Sequence, residues 1–364
     1  MLLSREVDIR EELIRYLSNN IEDYPEGIIL PIDKPYRWTS ADVIRKVKYA
    51  ACRHFGKKKL KVGHAGTLDP LATGILLVCI GPATKKAEEL QASAKQYVAG
   101  VTFGATTPSY DLEKDIDRQF PLDGVSEESI RAVLPKFIGE QEQVAPLFSA
   151  KSVDGVRAYE TARKLYRQSI ATGEDFDHSA AGLLQTNLIN IYDLELLEYS
   201  VPAAVRSLLD SAQSLPDSAQ SLPDSSLTES LSPSPNTNVP EADTPSEPVS
   251  TLGHVRGRGP LDASSEGTPQ TVGGMERVSR AEGLEGVSAA GKGRINVADI
   301  SGYELPTASI RVDCSKGTYV RALARDLGEA LGSGAFLSSL RRTKNGGFTI
   351  EDAISLESAL ELLG

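Results

Sequence analysis

Apolar positions along the chain recur with two different periods. Continuous or alternating apolar runs that read as strands fall at 27–32, 75–80, 95–104, 188–199 and 308–314, with shorter ones at 337–342 and 348–350 around a turn at 344–347. Helical spacing places Val43, Ile44, Val47, Ala50 and Ala51 on one face. Ser40 is the expected N-cap of that helix and Gly56 its stop. Further helices are expected at 11–17, 87–94, 126–137, 157–166, 318–331 and 357–363. The one at 126 opens with Glu127 and Glu128, and the one at 318 ends at Gly332. Strands and helices are mixed along the whole chain, which predicts an α/β (α+β) domain.

One stretch departs from both periods. Residues 201–293 are rich in Ser, Pro, Gly, Thr and acids, and hold a heptapeptide, Ser211-Ala212-Gln213-Ser214-Leu215-Pro216-Asp217, repeated at 218–224. No aromatic residue occurs between Tyr199 and Tyr303. Such a composition buries too little apolar surface to offset the entropy of ordering. The heptapeptide is no coiled-coil seam, because each copy carries a proline and one large apolar residue. The expected organisation is therefore an N-terminal extension at 1–26, a single domain at 27–200 and 294–364, and a long disordered insertion at 201–293.

With 40% hydrophobic and 24% charged residues over 364 positions, the chain is ordinary globular material. Its first residues carry both signs of charge and no long apolar core, and no run approaches a membrane span. The three cysteines, Cys52, Cys79 and Cys314, are far apart and form no C-x-x-C pair, so neither disulfides nor a thiolate metal site is indicated. A soluble, reduced, cytoplasmic protein is expected, with no membrane partner. The net charge of −11 speaks against a polyanionic partner, but its distribution does not. Between 34 and 64 there are ten Lys/Arg and one acid, and between 311 and 344 seven Lys/Arg and three acids. Between 200 and 291 there are five Arg and twelve acids. A polyanion responds to the local patch, since salt screens charge over roughly 10 Å.

The first basic run leads into Gly63-His64-Ala65-Gly66-Thr67-Leu68-Asp69-Pro70-Leu71-Ala72-Thr73-Gly74. Its glycines open turn conformations closed to other residues, and Pro70 fixes its own φ and restricts Asp69. The product is a stiff loop offering one carboxylate at the mouth of a buried strand. Alone, such a loop is equally well a structural turn whose Asp bonds its own backbone.

Taken with four further segments in order, this loop resembles the signature of the TruB family of tRNA pseudouridine synthases. Asp33-Lys34-Pro35 with Ser40, Lys95-x-Tyr97 with Gly104, and 146–151 with Gly155-x-Arg157-Ala158-Tyr159 resemble successive family motifs. So do Cys314-Ser315-Lys316-Gly317-Thr318-Tyr319-Val320-Arg321 and Leu340-Arg341-Arg342. The resemblance implies a pseudouridine synthase fold with a mixed, mostly antiparallel central sheet flanked by helices. It implies an isomerase that converts uridine 55 in the T loop of tRNA to pseudouridine, with no cofactor and no metal. By the same resemblance Asp69 is the nucleophile or base, Tyr97 stacks on the extruded base, Tyr319 borders the base near C5, and Arg321 pairs with Asp69. His64 is implied to fill the space the base leaves and Leu340 to wall the pocket. Lys34 is expected to support the loop or to meet RNA phosphate, and Lys151 and Arg157 to contact RNA. The implied partner is the tRNA T stem-loop, bound by a monomer with no obligatory protein partner.

Two departures from the family pattern stand out. The insertion at 201–293 has no counterpart in it. Only about fourteen residues follow Ile350, so a C-terminal RNA-binding (PUA-like) domain of the kind many bacterial members carry is not expected. Two other readings compete: a guide-dependent RNA pseudouridine synthase, and a non-catalytic tRNA-binding or folding module. The first leans on a C-terminal domain and basic tails not seen here. The second has little use for a carboxylate facing RNA.

Overall fold

The computed structural model describes residues 17–149, 152–153, 156–174, 176, 186–203 and 295–364. These all fall within one compact unit. The expected helix at 11–17 and the expected disordered stretch at 201–293 lie outside the described residues, apart from Leu17 and 201–203.

The chain opens with β1 (Ile28–Lys34), α1 (Ser40–His54), β2 (Val62–His64) and β3 (Ala72–Ile80). There follow α2 (Ala87–Ala92), β4 (Lys95–Phe103), the small hairpin β5 (Ala105–Thr106) and β6 (Arg118–Gln119), α3 (Glu127–Val133) and β7 (Gly139–Val144). Next come β8 (Ser152–Val153), β9 (Val156–Arg157), α4 (Ala158–Thr172) and β10 (Thr186–Ser200). The chain closes with β11 (Thr307–Cys314), α5 (Val320–Ala330), β12 (Ala335–Asn345), β13 (Phe348–Thr349), β14 (Ile354–Ser355) and α6 (Leu356–Leu362).

One ten-stranded sheet organises these elements in the order β14-β1-β3-β12-β4-β11-β10-β7, with β2 added to β3 and β13 to β12. Among the described residues only β1–β14 and β3–β12 pair in parallel; the rest are antiparallel, as expected for the fold. Strand alternation divides the sheet into two faces. Leu30, Ile32, Leu76, Val78 and Tyr97 share the main core with Val43 and Val47 of α1, Leu323 and Leu327 of α5, and Leu356 of α6. The intervening residues Ile75 and Leu77 join Phe348 and Ala65 in a smaller core. A strand buried on both faces is continuously apolar, which is why 75–80 reads as an unbroken run.

Several boundaries differ from expectation for local reasons. Thr39, not Ser40, caps α1: its side chain accepts from the Asp42 amide while the Asp42 carboxylate accepts from the Thr39 amide. Gly56 follows the helix at φ +59°, as expected of a stop. The helix expected through Phe137 turns to 3₁₀ at Leu134–Phe137, where Pro135 lacks an N–H. The helix expected from Thr318 begins at Val320, and Tyr319 is its N-cap.

Candidate active site

The loop between β2 and β3 is held from two sides by buried cations and by side chains far away in sequence. On one side Lys34 Nζ donates to the carbonyls of Pro35 (2.9 Å), Trp38 (2.6 Å) and Pro70 (3.2 Å). Ser40 Oγ accepts from the Leu68 amide (2.9 Å) and donates to the Leu68 carbonyl (3.0 Å). Asp33 accepts from the Gly74 amide (3.0 Å) and pairs with Arg341 (2.8 Å). On the other side the Arg342 guanidinium donates to the carbonyls of Ile75 (2.7 Å), Gly66 (3.1 Å) and Thr67 (3.4 Å). Asn345 donates to Ala65 O (3.1 Å). Gly66 and Gly74 stand at φ +97° and +95°, and a methyl group on Gly74 would overlap the Arg342 carbonyl across the β3–β12 pairing. Glycine at 74 is thus required twice over.

This bracing leaves Asp69 with 40% of its side chain exposed, facing a cleft of about 720 Å³. Arg321 Nε lies 2.9 Å from Asp69 Oδ2 and 3.6 Å from Asp111 Oδ2. The same guanidinium donates to the carbonyls of Ser109 (3.1 Å) and Phe148 (3.0 Å), so its direction is fixed by three chain segments. Arg321 is only 5% exposed. Burial works against its charge, but Asp69 and Asp111 outweigh burial and hold its pKa above the ordinary value. Asp111, deeply buried, has its pKa raised by that burial, with Arg321 pulling the other way.

Two tyrosines flank the pair. Tyr97 lines the cleft from β4, and burial raises its pKa, with the Arg342 charge pulling the other way. Tyr319 lines the cleft at the start of α5. The buried Gln143 fixes its backbone, accepting from the Tyr319 amide (2.8 Å) and donating to its carbonyl (3.2 Å). Burial also raises the Tyr319 pKa, so its phenol is protonated at neutral pH. Leu340 completes the lining beside Asp69 and Arg342.

Asp69, Tyr97, Tyr319, Arg321 and Leu340 therefore meet in one cleft. His64 does not line that cleft: it stands on β2, half-buried, and burial lowers its pKa. Lys34, expected at the RNA or under the loop, exposes none of its surface and spends its donors on the carbonyls of Pro35, Trp38 and Pro70. Burial drives its pKa down to about 8. Lys151 and the Arg157 side chain lie outside the described residues. Gln143 and Asp111 have no place in the expected site, and Arg342 enters it only as a member of the Leu340-Arg341-Arg342 motif. The only signal was charged or amide groups inside segments otherwise reading as core strand or turn. Within the first basic run, Lys48, Arg53, Lys58, Lys59 and Lys61 are exposed.

Burial also lifts the thiols of Cys79 and Cys314 to about 11, consistent with packing alone. Among the described residues no helix is long and apolar enough to cross a membrane.

An exposed carboxylate on a braced loop is thus paired with a buried arginine in a cleft that two tyrosines also line. Family models narrow the class. The TruB family pseudouridylate synthase (N terminal domain) model matches residues 53–208, and the tRNA pseudouridylate synthase B C-terminal domain model matches 321–363. The second match falls on α5 to α6, inside the catalytic unit itself. The chain is 36% identical over 341 residues to the tRNA pseudouridine synthase B of Phocaeicola vulgatus, covering 94% of this chain and 95% of that one. It is 32% identical to the protein of that name in Flavobacterium johnsoniae (92% and 95% covered). It is 30% identical to the one in Deinococcus radiodurans (92% and 78% covered). The chain belongs to the TruB family of pseudouridylate synthases.

Proposed function

We propose that this protein isomerises uridine to pseudouridine in tRNA, at uridine 55 of the T loop, with Asp69 as the acting carboxylate. The observation that carries the reading is the Asp69–Arg321 pair, set between Tyr97 and Tyr319 at the wall of an open cleft. In the reaction the C1′–N1 bond breaks, the base turns, C5 bonds to C1′, and the C5 proton is lost while N1 gains one. Nothing leaves and nothing is oxidised, so one group must stay at the sugar–base junction throughout. A carboxylate can form and release an adduct, or take and return a proton.

The cleft divides the remaining work. Arg321 fixes the orientation of Asp69. Tyr97 offers a ring face to the extruded base; stacking of this kind contributes about 1–3 kcal/mol, against an extrusion cost of a few kcal/mol. Tyr319, which lines the same cleft, borders the base near C5, where a proton is lost late in the reaction. The exposed lysines and arginines of α1 and 57–61 meet phosphate, and the folded T loop supplies specificity by shape. The protein acts on tRNA as a monomer, in the cytoplasm, without a guide RNA.

The test is incubation of purified protein with unmodified tRNA transcript and no other RNA, followed by mapping of pseudouridine. Product at the T-loop uridine that disappears in Asp69→Asn supports the reading. Product that requires an added guide RNA, or activity retained by Asp69→Asn, overturns it.

A further inference from the structure

The two terminal nitrogens of Arg321 are fixed by carbonyls from separate segments: Ser109 on the 107–117 loop between β5 and β6, and Phe148 in the strand-to-α4 connection. Each segment has its own internal order. The 107–117 loop is knitted by Thr107 Oγ1 to Asp111 O (2.7 Å) and Ser109 Oγ to Asp111 Oδ1 (2.7 Å). The second segment is buried in a small satellite core where Phe148 and Phe176 pack with Ala158 and Ala162 of α4, and Tyr319 leans on the same cluster. Hydrogen bonds within either segment do nothing to set the distance between them.

Lys114 spans that gap. It belongs to the 107–117 loop, yet its Nζ lies 5.6 Å from the centre of the Phe148 ring and 5.1 Å from that of Tyr166 on α4. The two rings meet edge to face at 6.4 Å and 79°, so the ammonium addresses both. Its side chain is 15% exposed, and Glu113 is its carboxylate partner at 3.4 Å. A partly desolvated cation on aromatic faces is attracted more strongly than one in water. Given the isomerase reading above, we infer that Lys114 is a positioning residue for the Asp69–Arg321 pair: it clamps together the two segments whose carbonyls aim the arginine. It touches neither substrate nor Asp69, and acts through Phe148 and the satellite core.

The inference is tested with full-length protein and tRNA transcript by steady-state kinetics. Lys114→Met keeps the aliphatic stem and removes the charge. It is expected to lower kcat about tenfold while KM for tRNA stays within about twofold. Lys114→Arg, whose guanidinium also lies on aromatic faces, is expected to restore most of the loss. Tyr166→Leu should lower kcat similarly, and the double variant should be no worse than the poorer single. If Lys114→Met does not fold, Lys114→Gln is read in the same way. A kcat within about twofold of wild type overturns the inference, even with a lowered melting temperature, because Lys114 then only stabilises. A raised KM at unchanged kcat also overturns it, making Lys114 a phosphate contact. Failure of the isomerase reading itself shows separately, as absence of product from the unsubstituted protein.

Discussion

Replacing Arg342 with lysine should disable the enzyme without touching its grip on RNA. Arg342 is 1% exposed and spans both ends of the Asp69 loop, bonding Gly66 and Thr67 on entry and Ile75 on exit. A lysine ammonium is a point donor with no fork and cannot reach both ends together. Two of the three carbonyls then lose a charged donor in a dry site. At about 1.5–3 kcal/mol for each such bond, the loss comes to about 3–5 kcal/mol after partial relaxation. For a domain of this size that lowers the melting temperature by roughly 6–20 °C. The loop also loses its aim: a displacement of about 1 Å at a reacting group costs on the order of a hundredfold in rate. Release of tritium from tRNA labelled at uridine C5 reports the step directly, because C5 loses its hydrogen when it bonds to C1′. The expected result is kcat down about a hundredfold, with tRNA affinity within about twofold because a buried residue meets no phosphate. A melting temperature within about 2 °C of wild type together with kcat within about threefold would falsify the bracing argument. Weakened affinity at full kcat would place Arg342 at the RNA instead.

Gly74→Ala should destabilise by about 2–4 kcal/mol in urea unfolding, because a methyl at positive φ meets the Arg342 carbonyl; an unchanged midpoint contradicts the tight β3–β12 approach. Burial depresses the His64 pKa in the folded state below its ordinary 6.5, so the unfolded chain takes up the proton first and stability falls as pH drops through and below 6.5. His64→Gln should flatten stability between about pH 7 and 5, and an unaltered slope there refutes the assignment. Removing two exposed lysines with Lys58→Ala and Lys59→Ala should reduce the salt dependence of tRNA binding, by about 0.7–0.9 in log–log slope for each phosphate that is no longer neutralised, with kcat unchanged; an unaltered slope places the RNA elsewhere.

The Asp69 loop is visible in the chain because its causes are local. Three glycines, Pro70 and the apolar run after them are contiguous, and turn chemistry together with strand burial follows from neighbours. The strands fall within a few residues of their expected places for the same reason: alternation is set by the pleat. Differences of one or two residues arise where two candidates compete for one role. Thr39 takes the cap because it forms the reciprocal pair with Asp42, which frees the Ser40 hydroxyl to bond Leu68, 28 residues away.

What the sequence could not contain was the fate of individual charges. Lys34 begins a run of ten basic residues and reads as an RNA contact as readily as a buttress. Only the packing of β1 against the loop removes it from water and hands its three donors to backbone carbonyls. Arg342 sits beside Arg341 in the chain, yet the alternation of β12 turns one to Asp33 and the other under Gly66, 276 residues away. Arg321, which only the family resemblance assigned to Asp69, reaches it and Asp111 because three distant segments converge on it. Local pattern determines which elements form and which carboxylate is presented. Burial and charge partners arise from contacts between segments remote in sequence, so the tertiary structure alone decides which of the many cations serves the carboxylate and which remain free to meet RNA.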